Sequence, residues 1–371
     1  MGHGGQSPYT VYMRIFLQLA LIFFLPFAVA EPASAQDGLW GDEIDADGPV
    51  DINTPSEPLD DELDDGLVIP GSLPDDGETQ GPPEFYDAVQ AYRDGDFAAA
   101  CAAWLTLAEQ GHGSSQHNVG VCLEHGRGLP ADARQAAGWY WQAIEHDIPE
   151  AMNNLAKLHT EGRGVEQDHH LAANLYAKAA NLNLVDAQYN LAVAFYRGLG
   201  LAQNAEQSFV WMLRAAEAGH VRAQYDVGGF FIGGVGTTDD PSEAAYWYTE
   251  ATAQGDAAAT YALGYLHYRG SGVAQDYARA FTLINQAAKA GVVQAQNQLG
   301  VMMAKGEGAD RDPIAAYQWF RIASLMGDDA AGRNLDRLKP RLTAQQIEKA
   351  EALAQSYQPA QIEPDQTSLN F

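Results

Sequence analysis

The stretch Leu263-Gly264-Tyr265-Leu266-His267-Tyr268-Arg269-Gly270-Ser271-Gly272-Val273-Ala274-Gln275-Asp276 holds the glycine pair that decides the fold. The same Gly-x-Gly pair occurs six times at an interval of 36 residues: Gly126/Gly128, Gly162/Gly164, Gly198/Gly200, Gly234/Gly236, Gly270/Gly272 and Gly306/Gly308. Two more sets keep this register, an alanine set (Ala143, Ala179, Ala215, Ala251, Ala287, Ala323) and an Asp or Asn set (Asp132, Asp168, Asn204, Asp240, Asp276, Asp312). A fixed period of about 20 to 50 residues is typical of a solenoid, whose units must stack to bury their apolar faces.

Each unit is predicted to be a pair of helices. Ala151, Leu155 and Leu158 recur at helical spacing, which indicates a first helix with an apolar stripe. Gly162 ends that helix because glycine accepts a positive φ, and Asp168 caps the start of a second helix. The second helix closes at a turn glycine in most copies (Gly219, Gly255, Gly291, Gly327), with Asp147 and Asn183 in its place in the first two. Small residues at equivalent first-helix positions predict close helix approach: Ala156, Ala192, Gly228, Gly264 and Gly300.

The run from Ala259 to Asp276, with Ala244-Ala245-Tyr246-Trp247-Tyr248 in the second helix, closely resembles the Sel1-like repeat. The resemblance covers about residues 84–330 and differs from the tetratricopeptide repeat, whose period is about 34 residues and which has no paired-glycine loop. It implies an all-α fold, a right-handed α/α superhelix used as a protein-binding scaffold, often in bacterial envelopes.

The predicted solenoid spans residues 84–357. Six full repeats occupy about residues 112–327, with an atypical hairpin at each end. The first hairpin, Phe85 to Gln110, lacks the paired-glycine loop. The last is broken at Pro340 and restarts at Thr343 with a capping-box pattern, Thr343-Ala344-Gln345-Gln346. Residues 358–371 are interpreted as a loose tail.

Residues 1–35 are interpreted as a secretory signal peptide. An apolar run at residues 15–30 follows Arg14, and Ala28-Val29-Ala30 and Ala33-Ser34-Ala35 are candidate cleavage sites. The run is short for a membrane span, which needs about 20 residues, although an uncleaved membrane anchor is an alternative. Met13 is a second candidate start. The predicted location is the periplasm, with no membrane insertion after signal removal.

Residues 36–83 are predicted to be a disordered linker, since they contain fifteen Asp or Glu and no Lys or Arg. This linker carries more than half of the formal net charge of −28. A chain of this sign is a poor match for nucleic acid or anionic lipid, and neither is expected as a partner. The linker is interpreted as a solvated spacer, with an acidic interaction or calcium-buffering segment as the alternative.

The sequence contains none of the common catalytic, zinc or phosphate-loop motifs, so we expect no enzyme activity, cofactor or metal site. His159 and His267 are interpreted as residues at the edge of the core. His169 and His170 are interpreted as solvated, with a weak metal contact as the alternative. An envelope-polymer enzyme or penicillin-binding protein remains a second functional class, because some Sel1-like proteins have been linked to penicillin binding.

A binding face is predicted on the first helices of the middle repeats. The side of these helices opposite the apolar stripe should be polar, yet it carries Tyr189, Val193, Tyr196, Tyr225, Ile232, Tyr261, Tyr265 and Tyr268. A concave tyrosine-rich groove would suit a protein or peptide partner, since tyrosine offers a large contact area and a hydroxyl. The alternative is that some of these rings pack between adjacent repeats. The protein is predicted to be a monomer.

Cys101 and Cys122, the only cysteines, are predicted to form a disulfide in an oxidising compartment. They should lie at the same height on helices that run antiparallel about Gly111. Two separate buried thiols are the alternative.

Overall fold

The computed structural model describes Leu67 and residues 82–359, and all regular structure in this part of the chain is helical. The predicted signal peptide, the predicted linker apart from Leu67 and residues 82 and 83, and the tail from residue 360 lie outside the described residues. Leu67 is half-buried against the hydrophobic cluster of the N-terminal repeats.

Sixteen α-helices occur within residues 82–359. They are α1 Pro83–Arg93, α2 Phe97–Glu109, α3 Gly113–His125, α4 Ala133–Ile144, α5 Pro149–Glu161, α6 His169–Asn181, α7 Val185–Arg197, α8 Ala205–Glu217, α9 Val221–Gly233, α10 Pro241–Ala253, α11 Ala257–Arg269, α12 Tyr277–Lys289, α13 Val293–Lys305, α14 Pro313–Leu325, α15 Asp329–Leu338 and α16 Ala344–Gln355. Each of α2 to α14 packs against the helices before and after it, so the repeats form an α/α solenoid. Among these helices, none combines the length and the apolar character that a membrane crossing requires.

The predicted helix ends are confirmed. The six first helices are α3, α5, α7, α9, α11 and α13. Each ends at the first glycine of the pair, which takes a left-handed conformation with φ between 60° and 78°. The Asp or Asn at the equivalent position before each second helix accepts a hydrogen bond from a backbone N–H of the first turn, as Asp276 does from Arg279. Asp147 (φ 55°) and Asn183 (φ 65°) take the left-handed conformation in place of the turn glycine.

The second glycine of each pair has a role between repeats. A Cβ at Gly236 would collide with the carbonyl of Ala205, the first residue of the preceding second helix α8. The same contact is made at the other five pairs. The first glycine has more room, because a Cβ at Gly234 would come no closer than 3.5 Å to a neighbour. The two glycines are therefore required for different reasons: the first for its φ, the second also for the close approach of two repeats.

Small first-helix residues let the two helices of a repeat pack closely, as predicted. A Cβ at Gly300 would lie 2.6 Å from the ring of Phe320, and a Cβ at Gly228 would lie 2.5 Å from the ring of Tyr248. Both rings are almost fully buried. The glycines thus leave space for an aromatic ring of the second helix.

Both terminal hairpins differ from the repeats between them. The first, α1 and α2, turns through Gly95, and Asp96 caps α2. At the other end α15 runs into a short 3₁₀ turn, Lys339–Arg341. Helix α16 then begins with the predicted capping box between Thr343 and Gln346 and packs against α14.

Candidate protein-binding face

The eight residues of the predicted groove, here called the tyrosine face, lie on α7, α9 and α11. The expectation that they all face water is wrong for four of them, which are at most 9% exposed: Tyr189, Val193, Tyr261 and Tyr268. The other four are half-buried: Tyr196, Tyr225, Ile232 and Tyr265. Buried rings, which the alternative interpretation expects between adjacent repeats, therefore account for three of the eight residues.

Tyr189 shows why a ring at this position is buried. Its hydroxyl donates a hydrogen bond to Oδ2 of Asp226 in the next first helix, at 3.1 Å. Its ring stacks on His220 with a centroid distance of 4.6 Å. The side chain thus fills the gap between α7 and α9 and belongs to the interface between two repeats.

Tyr268 and Tyr261 are also buried. The Tyr268 hydroxyl donates to Oε2 of Glu307, 39 residues later, at 2.9 Å. Burial raises the pKa of the Tyr268 phenol, and the neighbouring Glu307 carboxylate raises it further. Burial likewise raises the pKa of the Tyr261 phenol. Both side chains therefore stay protonated at neutral pH, and Tyr268 acts as the donor to Glu307.

Polar residues at the position equivalent to Tyr189 make the same kind of contact. Residues 37 positions apart bridge successive first helices: the Asn153 and Asn190 side chains are 2.9 Å apart, and those of Asn297 and Asn334 are 3.1 Å apart. A row of contacts between repeats thus runs along the first helices. Polar or tyrosine residues spaced 37 positions apart are the sequence pattern from which this row of contacts could have been predicted.

The half-buried members form the accessible part of the tyrosine face. Tyr265 lies between two buried rings, with centroid distances of 6.2 Å to Tyr261 and 6.3 Å to Tyr268. The Tyr225 ring lies 5.7 Å from Tyr248. Tyr196 stacks on Phe230, and Ile232 packs against the same cluster. The ring edges left at the surface on α7, α9 and α11 offer apolar contact area held in place by neighbouring side chains.

Earlier along the same face, the sequence reasoning missed a charged cluster. Arg163, the middle residue of a Gly-x-Gly loop, forms an ion pair with Glu124 of the preceding repeat. The Tyr140 hydroxyl donates to Oε2 of the same Glu124 at 2.6 Å. Arg163 reaches back 39 residues, as Glu307 does to Tyr268, so the middle residue of the loop is a contact between repeats.

The histidines in the described part of the chain do not assemble into a group with other ligands. Within the described residues there is no cluster of three or more His, Cys, Asp or Glu that could hold a metal ion. His159 is buried, and its Nδ1 lies 3.0 Å from the Glu166 carbonyl oxygen. His170 is at the exposed start of α6, with Nδ1 at 2.8 Å from the Gly200 carbonyl oxygen.

Cys101 on α2 and Cys122 on α3 lie side by side. The structure joins them by a disulfide, with the two Cα atoms 6.3 Å apart and both side chains fully buried. That Cα separation is within the usual range for disulfides, about 4.4 to 6.8 Å. The redox state in the mature protein stays a prediction.

A comparison with protein families bears directly on the repeats. The family model described as the Sel1 repeat matches six consecutive segments, residues 113–147, 149–184, 185–220, 221–256, 257–292 and 293–328. These segments make up more than half of the chain. The chain belongs to the Sel1 repeat family. Each matched segment contains one first helix and one second helix, and the terminal hairpins lie outside the match.

Solved structures and curated proteins include further relatives. A Sel1 repeat protein from Oxalobacter formigenes is 26% identical, with a TM-score of 0.59, over 66% of this chain and 97% of that one. DAP3-binding cell death enhancer 1 of Rattus norvegicus and of Mus musculus are each 48% identical over 42 residues, 11% of this chain. That match spans only 8% of either curated protein. Sel1 repeat proteins generally mediate protein–protein interactions, and their scaffold is typically non-catalytic.

Proposed function

We propose that this protein is an exported scaffold that binds a protein segment through the accessible part of the tyrosine face. The observation that carries the proposal is the group of half-buried rings on α7, α9 and α11. Tyr265 and Tyr225 are held by rings beneath them, so a partner would meet preformed apolar area at a small entropic cost. Tyrosine is enriched among the residues that contribute most to protein interfaces.

The proposed setting is the bacterial periplasm, where the scaffold would assemble envelope proteins or restrain an envelope sensor. The signal-like residues 1–35 support export. The acidic residues 36–83 would separate the solenoid from its surroundings. Two cysteines placed for a disulfide suit an oxidising compartment.

Substitutions copied from other repeats test the proposed face without disturbing the fold. The position of Tyr225 is Asn153 in the second repeat, and the position of Tyr265 is Val301 in the sixth. The double variant Y225N/Y265V should therefore fold, with a melting temperature close to that of the parent chain. Proteins captured by the exported chain from an envelope extract should be lost in this variant.

Two control variants separate binding from stability. Y246T changes a 54% exposed ring on the second helix α10 to the residue of the next repeat, Thr282, and should leave capture unchanged. Y261N removes a buried ring and should lower the melting temperature. The proposed face is wrong if Y225N/Y265V still captures the same proteins as the parent chain.

A further inference from the structure

A second surface is built from a glutamine and a tryptophan that occur together in four of the six repeats. The glutamine is the fourth residue of the first helix and the tryptophan the seventh residue of the second: Gln116/Trp139, Gln188/Trp211, Gln224/Trp247 and Gln296/Trp319. The remaining two repeats have neither residue, and carry Met152/Leu175 and Thr260/Leu283 instead. Because the two residues change together, we infer that they serve one local structure.

The glutamine is fixed at the turn between repeats. In all four cases its Nε2 donates to the carbonyl of the alanine eight residues earlier, for example Gln296 to Ala288 at 3.2 Å and Gln188 to Ala180 at 3.5 Å. These side chains are at most 6% exposed. One edge of the solenoid therefore repeats an arrangement of amide, helix-end carbonyls and indole, which we call the Gln-Trp socket.

In the sixth repeat this socket holds a tyrosine from the end of the chain. The Tyr357 hydroxyl accepts a hydrogen bond from Nε2 of Gln296 at 3.1 Å and donates to the Ala288 carbonyl at 3.0 Å. Its ring packs edge-on against Trp319, with a centroid distance of 5.6 Å. The phenol is thus recognised by a donor, an acceptor and an aromatic wall together.

At two other sockets a side chain of the same repeat lies at or near the glutamine. In the fourth repeat Gln254 donates to Oε1 of Gln224 at 2.8 Å and to the Gly219 carbonyl at 3.2 Å. In the first repeat His146 lies against Gly113, at the start of the helix that carries Gln116.

The socket of the third repeat, formed by Gln188 and Trp211, differs from these two. The residue equivalent to Gln254 and His146 is here Ala218. Ala218 is exposed and has no side chain beyond Cβ to reach the socket. Trp211 is half-buried here, as Trp139 is in the first repeat, whereas Trp247 and Trp319 are at most 7% exposed. The exposed Arg214 guanidinium lies 4.5 Å from the Trp211 ring, at the position of Ile322 in the sixth repeat. A flexible arginine at the rim can move aside or pack on an entering ring.

We propose that the Gln188–Trp211 socket binds a tyrosine side chain presented by a partner protein. Tyr357 in the sixth socket shows the chemistry: Gln188 Nε2 donates to the phenol, the Ala180 carbonyl accepts from it, and Trp211 covers its ring. Phenylalanine would fill the space but leave the two polar groups without their partner. This surface uses no residue of the tyrosine face. Binding at the socket and binding at the tyrosine face can therefore be tested independently of each other.

The probe is a peptide with the sequence of residues 353–359, Leu-Ala-Gln-Ser-Tyr-Gln-Pro, added to the full chain. Indole N–H signals in ¹H–¹⁵N NMR spectra report where it binds, and W211L assigns the Trp211 signal. We expect a saturable shift of that signal. The affinity should fall about tenfold for the peptide with Phe in place of Tyr, since about 1.4 kcal/mol of hydrogen bonding is lost.

The matched control variant is Q188M/W211L, which reproduces Met152 and Leu175 of the second repeat and should fold. Binding of a fluorescent form of the peptide should be lost in it. Y357A opens the sixth socket and is the positive control, because the peptide should then also shift the Trp319 signal.

Several results would overturn the proposal. One is binding at Trp319 in Y357A with no shift of Trp211 in the parent chain, and another is no binding to either protein. Binding that survives in Q188M/W211L would place the peptide elsewhere. A concentration-dependent Trp211 shift without peptide that disappears in Y357A would make a second copy of this chain the occupant instead of a partner.

Discussion

Single residues on the first helices decide how neighbouring repeats join. The fifth position of the first helix is His117, Asn153, Tyr189, Tyr225, Tyr261 and Asn297 in the six repeats. His117, Asn153, Tyr189 and Asn297 each make a side-chain hydrogen bond to the residue 37 positions later. Different chemistries at one position thus perform the same structural task.

His117 is the titratable member of this set. Its Nδ1 lies 3.2 Å from Oδ1 of Asn118 and its Nε2 lies 3.2 Å from Nδ2 of Asn154, which suits a neutral ring that donates once and accepts once. Burial lowers its pKa from 6.5 to about 4, although the hydrogen bond with Asn118 opposes the shift.

The lowered pKa of His117 predicts a loss of stability in acid. Above pH 6.5 His117 is neutral in both the folded and the unfolded state. Below pH 6.5 the unfolded state binds a proton at His117, whereas the folded state stays neutral down to about pH 4. At about pH 5 the free energy of unfolding should be about 2 kcal/mol lower on this account than at about pH 7.5. Urea unfolding of the parent chain and of H117N at both pH values measures this difference in the free energy of unfolding. Asparagine is chosen because Asn153 and Asn297 occupy the same position in other repeats. Equal pH dependence in the two proteins would contradict the prediction.

The two cysteines give a second prediction for single residues. Cys101 and Cys122 should be oxidised in protein recovered from the periplasm, closing a loop of 21 residues and adding about 2 to 4 kcal/mol to stability. Mass spectrometry after alkylation without reductant measures this. The double variant C101A/C122A shows the mass expected with no alkylated site. Two labelled thiols in the periplasmic protein would contradict the predicted disulfide.

The paired-glycine loop joins two repeats as well as two helices. Gly234 ends α9 with φ 60°, while Gly236 takes φ 68° and also lies against the backbone of Ala205 in α8. The loop therefore sets the distance between successive repeats.

Alanine substitutions should separate these two roles. G234A should lower the free energy of unfolding by about 1 kcal/mol, because alanine tolerates a positive φ less well than glycine. G236A has the same backbone cost and an added collision with the Ala205 carbonyl, so it should cost roughly 2 kcal/mol more. Denaturant unfolding of the two variants measures the difference. Equal destabilisation would show that the contact between repeats relaxes without cost.

In the whole molecule, the described residues form a row of units whose helices pack mainly against the helices next to them in the chain. The terminal hairpins close the row at both ends, and the Tyr357 segment returns from α16 to the turn before α13.

We predict export with removal of the first 30 or 35 residues. The reason is the order of Arg14, an apolar run and Ala-x-Ala at the N-terminus. The intact mass of periplasmic protein should correspond to a chain that begins at Glu31 or Gln36. As a control, L21R interrupts the apolar run and should leave the chain unprocessed in the cytoplasm. Recovery of full-length chain from membranes would support the uncleaved anchor instead.

The sequence by itself determined the repeat and its local structure. Helix ends depend on interactions within one turn, such as the left-handed φ of Gly270 or the cap that Asp276 gives α12, and these leave a residue type at a fixed spacing. The 36-residue period, the helix pairs and the atypical terminal hairpins could therefore be predicted from local chemistry.

Only the tertiary structure decided which aromatic side chains are buried. Tyr261 and Tyr265 are four residues apart on one helix, yet the first is buried and the second half-buried. Their exposure depends on the distance between successive first helices and on residues about 37 positions away. The hydrogen bond between Gln296 and Tyr357 joins residues that are 61 positions apart, so it depends even less on local sequence. A repeat pattern records what each unit needs to fold, but the burial of a side chain depends on neighbours that the stacking of units brings to it.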